Sequence, residues 1–501
     1  MVSKKELTQA SARGVIWLNA GQIFNQAFGL VNTVVLARLL TPADFGLIGM
    51  AMVFMNFLSM VNELGLAEAI VQREELDEAH LSSAFWANFL FGFFLFVITL
   101  LSAPSVAWFF EETKVQTILL VLGIDFFVGS LGSVHRALLN RAMQFELIAL
   151  GQTAMMVTRV TISIILAVAG FGVWSIIIGY IFGTFADSLV AWICNAWRPK
   201  LLFERSSLSE LFGFSLNLLG ARAIAYVGNN TANVLTGKYL GASMLGIYSI
   251  ASNIPALVRT RLATSIAQAV FPAFSSIQGD NERMRKAYLK IVRYVSIITF
   301  PMLVGLAIVA PEFIRIVYGL KWSGAIIPLQ ITCFGVMFAS LGIMNGPIQK
   351  AKGRTDLHMN LVIVSVVISI VTTLIGINYG LVGIAIASSF KSFIWVWIAA
   401  YYTGSLIDLS VGRYLKAMGA ATLASIFMTV IVMGYRYLGE QVIGHNDFIM
   451  LTGSIILGAG SYILALKLFK DNTLTELFQI GWEVLHPFVL LVRKKYSSLV
   501  S

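Results

Sequence analysis

Residues 83–109 read SAFWANFLFGFFLFVITLLSAPSVAWF. The stretch carries no ionisable side chain, and as a helix it is long enough to cross the hydrocarbon core of a bilayer, which takes roughly 20 residues. Similar apolar segments lie on both sides of it. Together they fall at 15–39, 43–62, 83–109, 115–136, 147–169, 172–195, 209–237, 243–272, 287–310, 323–346, 357–377, 379–403, 414–438 and 447–469. The expected fold is therefore all-α, a polytopic membrane protein of about 14 transmembrane helices. Pro301, Pro311 and Pro328 interrupt the ninth and tenth segments.

Composition agrees. Of 501 residues, 58% are hydrophobic and 12% charged, with a mean hydropathy of +0.82. That charged fraction is about half the soluble norm, which excludes an ordinary soluble enzyme or a disordered chain. Cys194 and Cys333 both lie inside apolar runs, and the five His are scattered, so no disulfide framework or metal-ligand spacing is present. The stretch after Lys4 and Lys5 is too long and too polar for a signal-peptide core and reads as the first span.

The net charge of +10 would suggest nucleic acid in a soluble protein; here it reflects loop charge, and no nucleic-acid partner is expected. With the N-terminus placed inside, 24 of the 35 Lys and Arg fall in inner segments and 6 in outer ones. Both termini are then expected to be cytoplasmic. In the tail, Leu474, Leu477, Phe478, Trp482 and Leu485 recur at helical spacing before Arg493-Lys494-Lys495. This suits an amphipathic helix on the anionic inner leaflet.

The chain also repeats itself. At an offset of 200, Val34, Arg38, Leu40, Gly46 and Ala51 face Val234, Lys238, Leu240, Gly246 and Ala251. Ala103-Pro104 then matches Ala310-Pro311, Ser130-Leu131-Gly132 matches Ser340-Leu341-Gly342, and Gly172 matches Gly380. Such ordered matches indicate duplication of a six-helix unit. Because six is even, the repeats run parallel, related by a pseudo-two-fold axis along the membrane normal. The expected organisation is a first lobe at 1–205, a second lobe at 206–405, two extra helices at 406–470 and the amphipathic tail at 471–501. A cleft between two such lobes, opening alternately to each side, is the architecture of a transporter.

Five basic residues remain within spans: Arg159, Arg222, Arg259, Arg261 and Lys391. Two acids, Asp125 and Asp187, join them. Each such charge costs about 2.5–3.5 kcal/mol on insertion scales, so none is expected to face lipid. Two readings stay open. The charges form buried ion pairs, with Asp125 or Asp187 serving Arg159. Alternatively, the surplus cations Arg222, Arg259, Arg261 and Lys391, which have no acid within a span near them, bind an anion, with Arg159 a further candidate for the substrate. Arg grips phosphate oxygens with a planar fork, so a phosphate or pyrophosphate suits them. Asp125 or Asp187 is then available to carry a coupling H+ or Na+.

Amides add a polar strip. Asn19, Gln22 and Gln26 share one face of the first helix, Asn25 and Asn32 lie one helical repeat apart, and Asn229, Asn230 and Asn233 recur on the seventh. They either bond across helices or line an aqueous path suited to sugar hydroxyls. Pro255 precedes Arg259 by one turn and can kink the eighth helix. No phosphate-binding Gly loop is present, so no cofactor is expected, and H+, Na+ or the membrane potential is the expected energy source. No outer loop is long enough to hold the acidic site of a membrane glycosyltransferase, so the chain is not expected to be an enzyme.

Several stretches carry a family resemblance. They are Val35-Leu36-Ala37-Arg38 with Asp44-Phe45-Gly46-Leu47, and Leu64-Gly65-Leu66 with Ala69-Ile70-Val71-Gln72-Arg73. More specific are Val270-Phe271-Pro272-Ala273-Phe274-Ser275-Ser276-Ile277-Gln278 and Tyr318-Gly319-Leu320-Lys321-Trp322. With these, most of the first 350 residues resemble the Wzx-type flippases of lipid-linked oligosaccharides, in the multidrug/oligosaccharidyl-lipid/polysaccharide exporter superfamily; the chain is similar in particular to colanic acid and teichuronic acid exporters. The last 150 residues are similar mainly in hydropathy. The resemblance implies a V-shaped two-lobed fold with a cationic central cavity. It also implies an inner-membrane protein that moves an undecaprenyl-pyrophosphate-linked repeat unit to the periplasmic leaflet, working alongside polysaccharide polymerase machinery. It names no binding residue. Two relatives of this function remain as alternatives: a flippase for the peptidoglycan lipid precursor, and a multidrug exporter of the same superfamily. The multidrug exporter would need unpaired acids rather than surplus bases.

Overall fold

The computed structural model describes residues 4–62, 70, 71, 73, 76–204, 216–442, 446–469, 471, 473–476 and 479, with the backbone alone at 4–20, 61–62, 216–219, 221, 261–273 and 442. Among the described residues every regular element is a helix. In order these are α1 (Lys4–Leu39), α2 (Pro42–Asn62), α3 (Glu78–Phe110), α4 (Thr113–Leu122), α5 (Ile124–Arg141), α6 (Phe145–Val168), α7 (Val173–Cys194) and α8 (Leu216–Ser276). There follow α9 (Asn281–Ile308), α10 (Ala310–Phe313), α11 (Ile326–Leu341), α12 (Asn345–Ala351), α13 (Thr355–Gly376), α14 (Gly380–Ser405), α15 (Val411–Val442) and α16 (Asp447–Leu468).

Eleven segments among the described residues are long and apolar enough to cross a membrane. Two of these are long enough to hold two crossings each. The segment Arg222–Thr260 breaks inside α8 at Gly241, where φ is 79°, and Thr355–Ser405 turns between α13 and α14. Counting both as two crossings, and α1 with its 36 residues as a further helix long enough to span, gives a number roughly consistent with the fourteen expected. The chain is thus a multi-pass, all-helical membrane protein. Several helices start well before their apolar runs, α1 at Lys4 and α9 at Asn281, because hydropathy marks the bilayer boundary and not the helix end. Pro301 lies inside α9, Pro311 in the first turn of α10 and Pro328 in the first turn of α11.

Local chemistry sets the helix starts. Thr41 and Asp44 form a reciprocal capping box at α2: the Thr41 backbone N–H donates to Asp44 Oδ2 at 2.9 Å and the Asp44 N–H donates to Thr41 Oγ1 at 3.3 Å, with Pro42 at the first helical position. Asp77 caps α3, Asp280 caps α9 and Asn446 caps α16, each accepting from backbone N–H groups of the first turn. Two glycines matched in the sequence repeat share one backbone state. Gly172, before α7, has φ 54° and ψ −133°, and Gly380, opening α14, has φ 67° and ψ −153°. L-residues with a Cβ rarely adopt this conformation, which fixes Gly at both corners.

The chain divides into two compact units, Met1–Ser249 and Ile250–Ser501. The core of the first gathers Met50, Leu95, Leu119, Leu122, Ile177 and Leu245 from α2, α3, α4, α7 and α8. Within it the early part of α8 packs on α2, where the Tyr226 hydroxyl donates to the Val53 carbonyl at 2.7 Å. The core of the second unit centres on α9, whose Tyr288, Val292 and Phe300 meet Leu341, Tyr414 and Tyr462. Two of its buried tyrosine hydroxyls are satisfied: Tyr288 donates to Asn345 Oδ1 at 2.8 Å and Tyr462 to the Ile297 carbonyl at 2.9 Å. The last two helices, α15 and α16, belong to this core. Of the tail, Thr473–Glu476 is helical; Leu477, Phe478, Trp482, Leu485 and Arg493–Lys495 lie outside the described residues.

Candidate functional site

In the first unit, charged and polar groups converge where the first turn of α5 meets the middles of α6 and α7. Glycines on α7 allow the approach. A Cβ on Gly183 would stand 3.0 Å from the Met155 carbonyl oxygen and 3.1 Å from the Arg159 Cβ, and one on Gly179 would stand 2.8 Å from the Arg159 carbonyl oxygen. On the facing surface of α6, the half-buried Arg159 lays its guanidinium over the Tyr180 ring, with Cζ 4.0 Å from the ring centroid. Asp125 of α5 lies within charge range of Arg159 and beside Thr184. Its Oδ1 is buried with no hydrogen-bond partner.

Asp187 pairs elsewhere. Its Oδ2 accepts from Arg136 Nη1 at 2.7 Å, and Arg136 Nη2 donates to the Gly129 carbonyl at 2.9 Å. Of the two acids expected to serve Arg159, Asp187 is thus taken by Arg136, a residue that charge counting assigned to topology alone. The pair sits in a pocket of about 240 Å³ whose other walls include Leu139, Leu147, Gly151, Gln152 and Met155. Sequence reading also missed Tyr180. Its signal was present: Tyr180, Thr184 and Asp187 fall at i, i+4 and i+7 on one face of α7.

On α1, Gln22 is exposed and Gln26 half-buried, while the side chain of Asn19 lies outside the described residues. Asn25 and Asn32 fall by helical spacing on the stripe of Gly21 and Gly29, which approaches Ala149 and Met156 of α6. The Oδ1 atoms of both are buried without a partner. Arg222 is exposed on the early part of α8, and Asn230 donates to the Tyr226 carbonyl at 3.0 Å one turn further on.

The second unit holds the other mid-span bases. Arg259 is exposed on the later part of α8, one turn beyond the buried Pro255, and Lys391 is half-buried on α14. The two lie close enough for the charge of Arg259 to act on Lys391. Among the described residues no acid pairs with either. Arg261 is helical, and its side chain lies outside the described residues. By contrast, bases near the ends of spans are paired. Arg436 forks onto the buried Glu312 at 2.8 and 2.9 Å, and Arg315 forks onto Asp447 at 2.9 and 2.7 Å. Among the described residues no three His, Cys, Asp or Glu come together to hold a metal ion.

Comparison with known proteins places this arrangement. The profile of the family described as "Polysaccharide biosynthesis protein" matches residues 35–328. The teichuronic acid biosynthesis protein TuaB of Bacillus subtilis is 24% identical over 95% of this chain and 99% of its own length. The lipopolysaccharide biosynthesis protein WzxC of Escherichia coli is 27% identical over 70% of this chain and 72% of its own. Among solved structures, the lipid II flippase MurJ in an inward closed conformation superposes with a TM-score of 0.74 at 17% identity, covering 92% of this chain and all of that one. An inward-facing multidrug resistance transporter of the MATE family superposes with a TM-score of 0.58 at 16% identity, over 79% of this chain and all of that one. These likenesses establish the fold.

Proposed function

The chain belongs to the polysaccharide biosynthesis protein family, and from that premise we propose that it is a flippase for a lipid-linked oligosaccharide. It moves an undecaprenyl-pyrophosphate-linked repeat unit from the cytoplasmic to the periplasmic leaflet of the bacterial inner membrane by alternating access. Both its termini are cytoplasmic, and it hands its product to polysaccharide polymerase machinery. The relatives named for teichuronic acid and lipopolysaccharide biosynthesis support the substrate class.

One observation carries the binding site: Arg259 and Lys391 share an electrostatic neighbourhood and have no acidic partner among the described residues. Two like charges at mid-span repel, and a pyrophosphate relieves that repulsion while accepting their hydrogen bonds. Arg261 extends that set in the second unit; in the first, Arg222 offers a further cation and Asn19, Gln22 and Gln26 offer amides for sugar hydroxyls. Arg159, with its face covered by Tyr180 and Asp125 within charge range, is less available to the pyrophosphate than Arg259 and Lys391. Asp187 is neutralised by Arg136. Asp125, with an unpartnered oxygen, is then the acid that carries a coupling H+ or Na+. Outward movement of an anion also runs with an inside-negative potential, worth about 2.3 kcal/mol per charge per 100 mV.

The test replaces Arg222, Arg259, Arg261 and Lys391 singly with Ala and follows polymer export at matched membrane levels. Loss of export at Arg259 and Lys391 is expected. Normal export from all four variants overturns the phosphate site.

A further inference from the structure

The chain leaving α7 does not turn away into solvent. Residues 195–204 run without helix across the start of α3 and the end of α5, stitched down by side chains. The Lys200 N–H donates to Ser82 Oγ at 3.1 Å and the Glu204 N–H to Ser83 Oγ at 2.8 Å. Trp86 Nε1 donates to the Lys200 carbonyl at 2.8 Å, and His135 Nε2 stands 3.3 Å from the Trp197 carbonyl. Arg198 Nη1 donates to the carbonyls of Asn195 and Trp197 at 2.6 and 2.7 Å, and Asn195 Oδ1 accepts from the Trp197 N–H at 2.9 Å. Ser82, Ser83 and His135 are fully buried beneath the segment.

The opposite face of this strap is apolar. Leu201 is 89% exposed, Leu202 45% and Phe203 57%. Three consecutive large apolar side chains standing free in water would be a liability. The neighbourhood points to a different solvent. On α7 the exposed residues Phe182, Phe185, Leu189 and Ile193 form one stripe that runs to the last turn, just before the strap begins. Beside it Trp86, Trp192 and Trp197 cluster with Phe85 and His135, and indoles collect where bilayer meets water. Non-helical backbone tolerates that depth only where its polar groups have protein partners. The two buried serines, Trp86, His135 and Arg198 supply them.

We infer that residues 195–204 form a membrane-interface strap, with Leu201, Leu202 and Phe203 sunk into the headgroup–acyl boundary of the leaflet beside the ends of α3 and α7. The occupant of this apolar face is the bilayer itself. The inference does not rest on the transport reading, because its test reads depth and not export.

The full chain, with Cys194→Ser and Cys333→Ser, takes a nitroxide at Leu201→Cys, Phe203→Cys or, as the polar control, Lys200→Cys. Each is reconstituted into vesicles of phosphatidylethanolamine and phosphatidylglycerol. Labels at 201 and 203 are expected to collide more often with oxygen than with a water-soluble nickel chelate, and the label at 200 to show the reverse. Nickel access dominating at 201 and 203 overturns the inference, as does exclusion of both reagents, which would mean that protein covers the face. Should the cysteine-free chain fail to fold, the native protein is irradiated in vesicles holding a diazirine-bearing phospholipid. Adducts on 201–203 at the frequency found on Ile193 uphold the strap, and their absence overturns it.

Discussion

Gly46 and Gly246 each occupy a space that the other's helix leaves only for a hydrogen. A Cβ on Gly46 would strike the Ala242 carbonyl, and one on Gly246 would strike the Pro42 carbonyl and stand 3.1 Å from the Gly46 nitrogen. Positions 42 and 242, like 46 and 246, are matched in the repeat, so the two contacts are copies of one another. Either Gly→Ala change forces backbone apart, where overpacking costs about 1–3 kcal/mol. G46A and G246A are expected to lower the melting temperature of the purified protein by similar amounts. A large loss in one and none in the other would deny the equivalence of the two corners.

The two mid-span acids are expected to behave differently. Asp187→Asn strands Arg136 in a half-buried pocket, which costs stability between the roughly 0–1 kcal/mol of an exposed pair and the 3–5 of a buried one. Asp125→Asn removes no direct ion pair, so its melting temperature stays near wild type while the dependence of export on an imposed ion gradient changes. Denaturation curves and vesicle transport check the two halves of the statement. Equal destabilisation by both substitutions would contradict it.

Glu312 ties α10 to α15 through a two-bond fork to Arg436, both side chains being largely buried. Glu312→Gln leaves the Arg436 charge uncompensated, a loss of about 3–5 kcal/mol for a buried pair. Arg436→Lys keeps the charge but not the fork and is expected to fall between the two. Thermal melting in detergent measures all three. An Arg436→Lys variant as stable as wild type would show that geometry adds nothing there.

Acid is expected to loosen the end of α16. Asp471 is 4% exposed and accepts from Arg293 Nη2 at 2.6 Å. Burial alone pushes its carboxyl up, but hydrogen bonds from Thr473 and Arg293 together with the Arg293 charge outweigh this and hold it below the usual carboxylate range. A folded-state value below the unfolded one, about 3.9, means the stabilisation is whole above the unfolded value and lost as pH falls through the folded one. The melting difference between wild type and Asp471→Asn should be widest near neutrality and close in acid. A difference that grows as pH falls would reverse the assignment.

Much of the architecture was legible because a bilayer imposes it locally. Length and hydropathy place each span, and Gly172 and Gly380 stand out as matched corners of the repeat, whereas the Thr41–Asp44 cap came to light only in the structure. Partners were less legible. Depth along a helix can be counted, but α7 is apolar nearly all round, so spacing does not say which face turns inward. Hence the partner of Arg159 stayed open between Asp125 and Asp187, and the pairing of Asp187 with Arg136, 51 residues away on another helix, went unread. Tyr180 escaped notice because an aromatic in an apolar run looks like packing until a cation is found over it. The strap is equally silent, as its serines and indole act on backbone groups that no residue pattern reveals.

The central claim is that mid-span cations of the second unit hold the pyrophosphate. Its most direct measurement is the affinity of undecaprenyl pyrophosphate for the purified protein in lipid nanodiscs, compared with Arg259→Ala/Lys391→Ala at matched melting temperature. A hydrogen bond to a charged group contributes about 1.5–3 kcal/mol, so losing two should weaken binding by roughly a hundredfold or more, with undecaprenol, which lacks phosphate, unaffected. Equal affinity of the wild type and the double variant for the pyrophosphate would contradict the account.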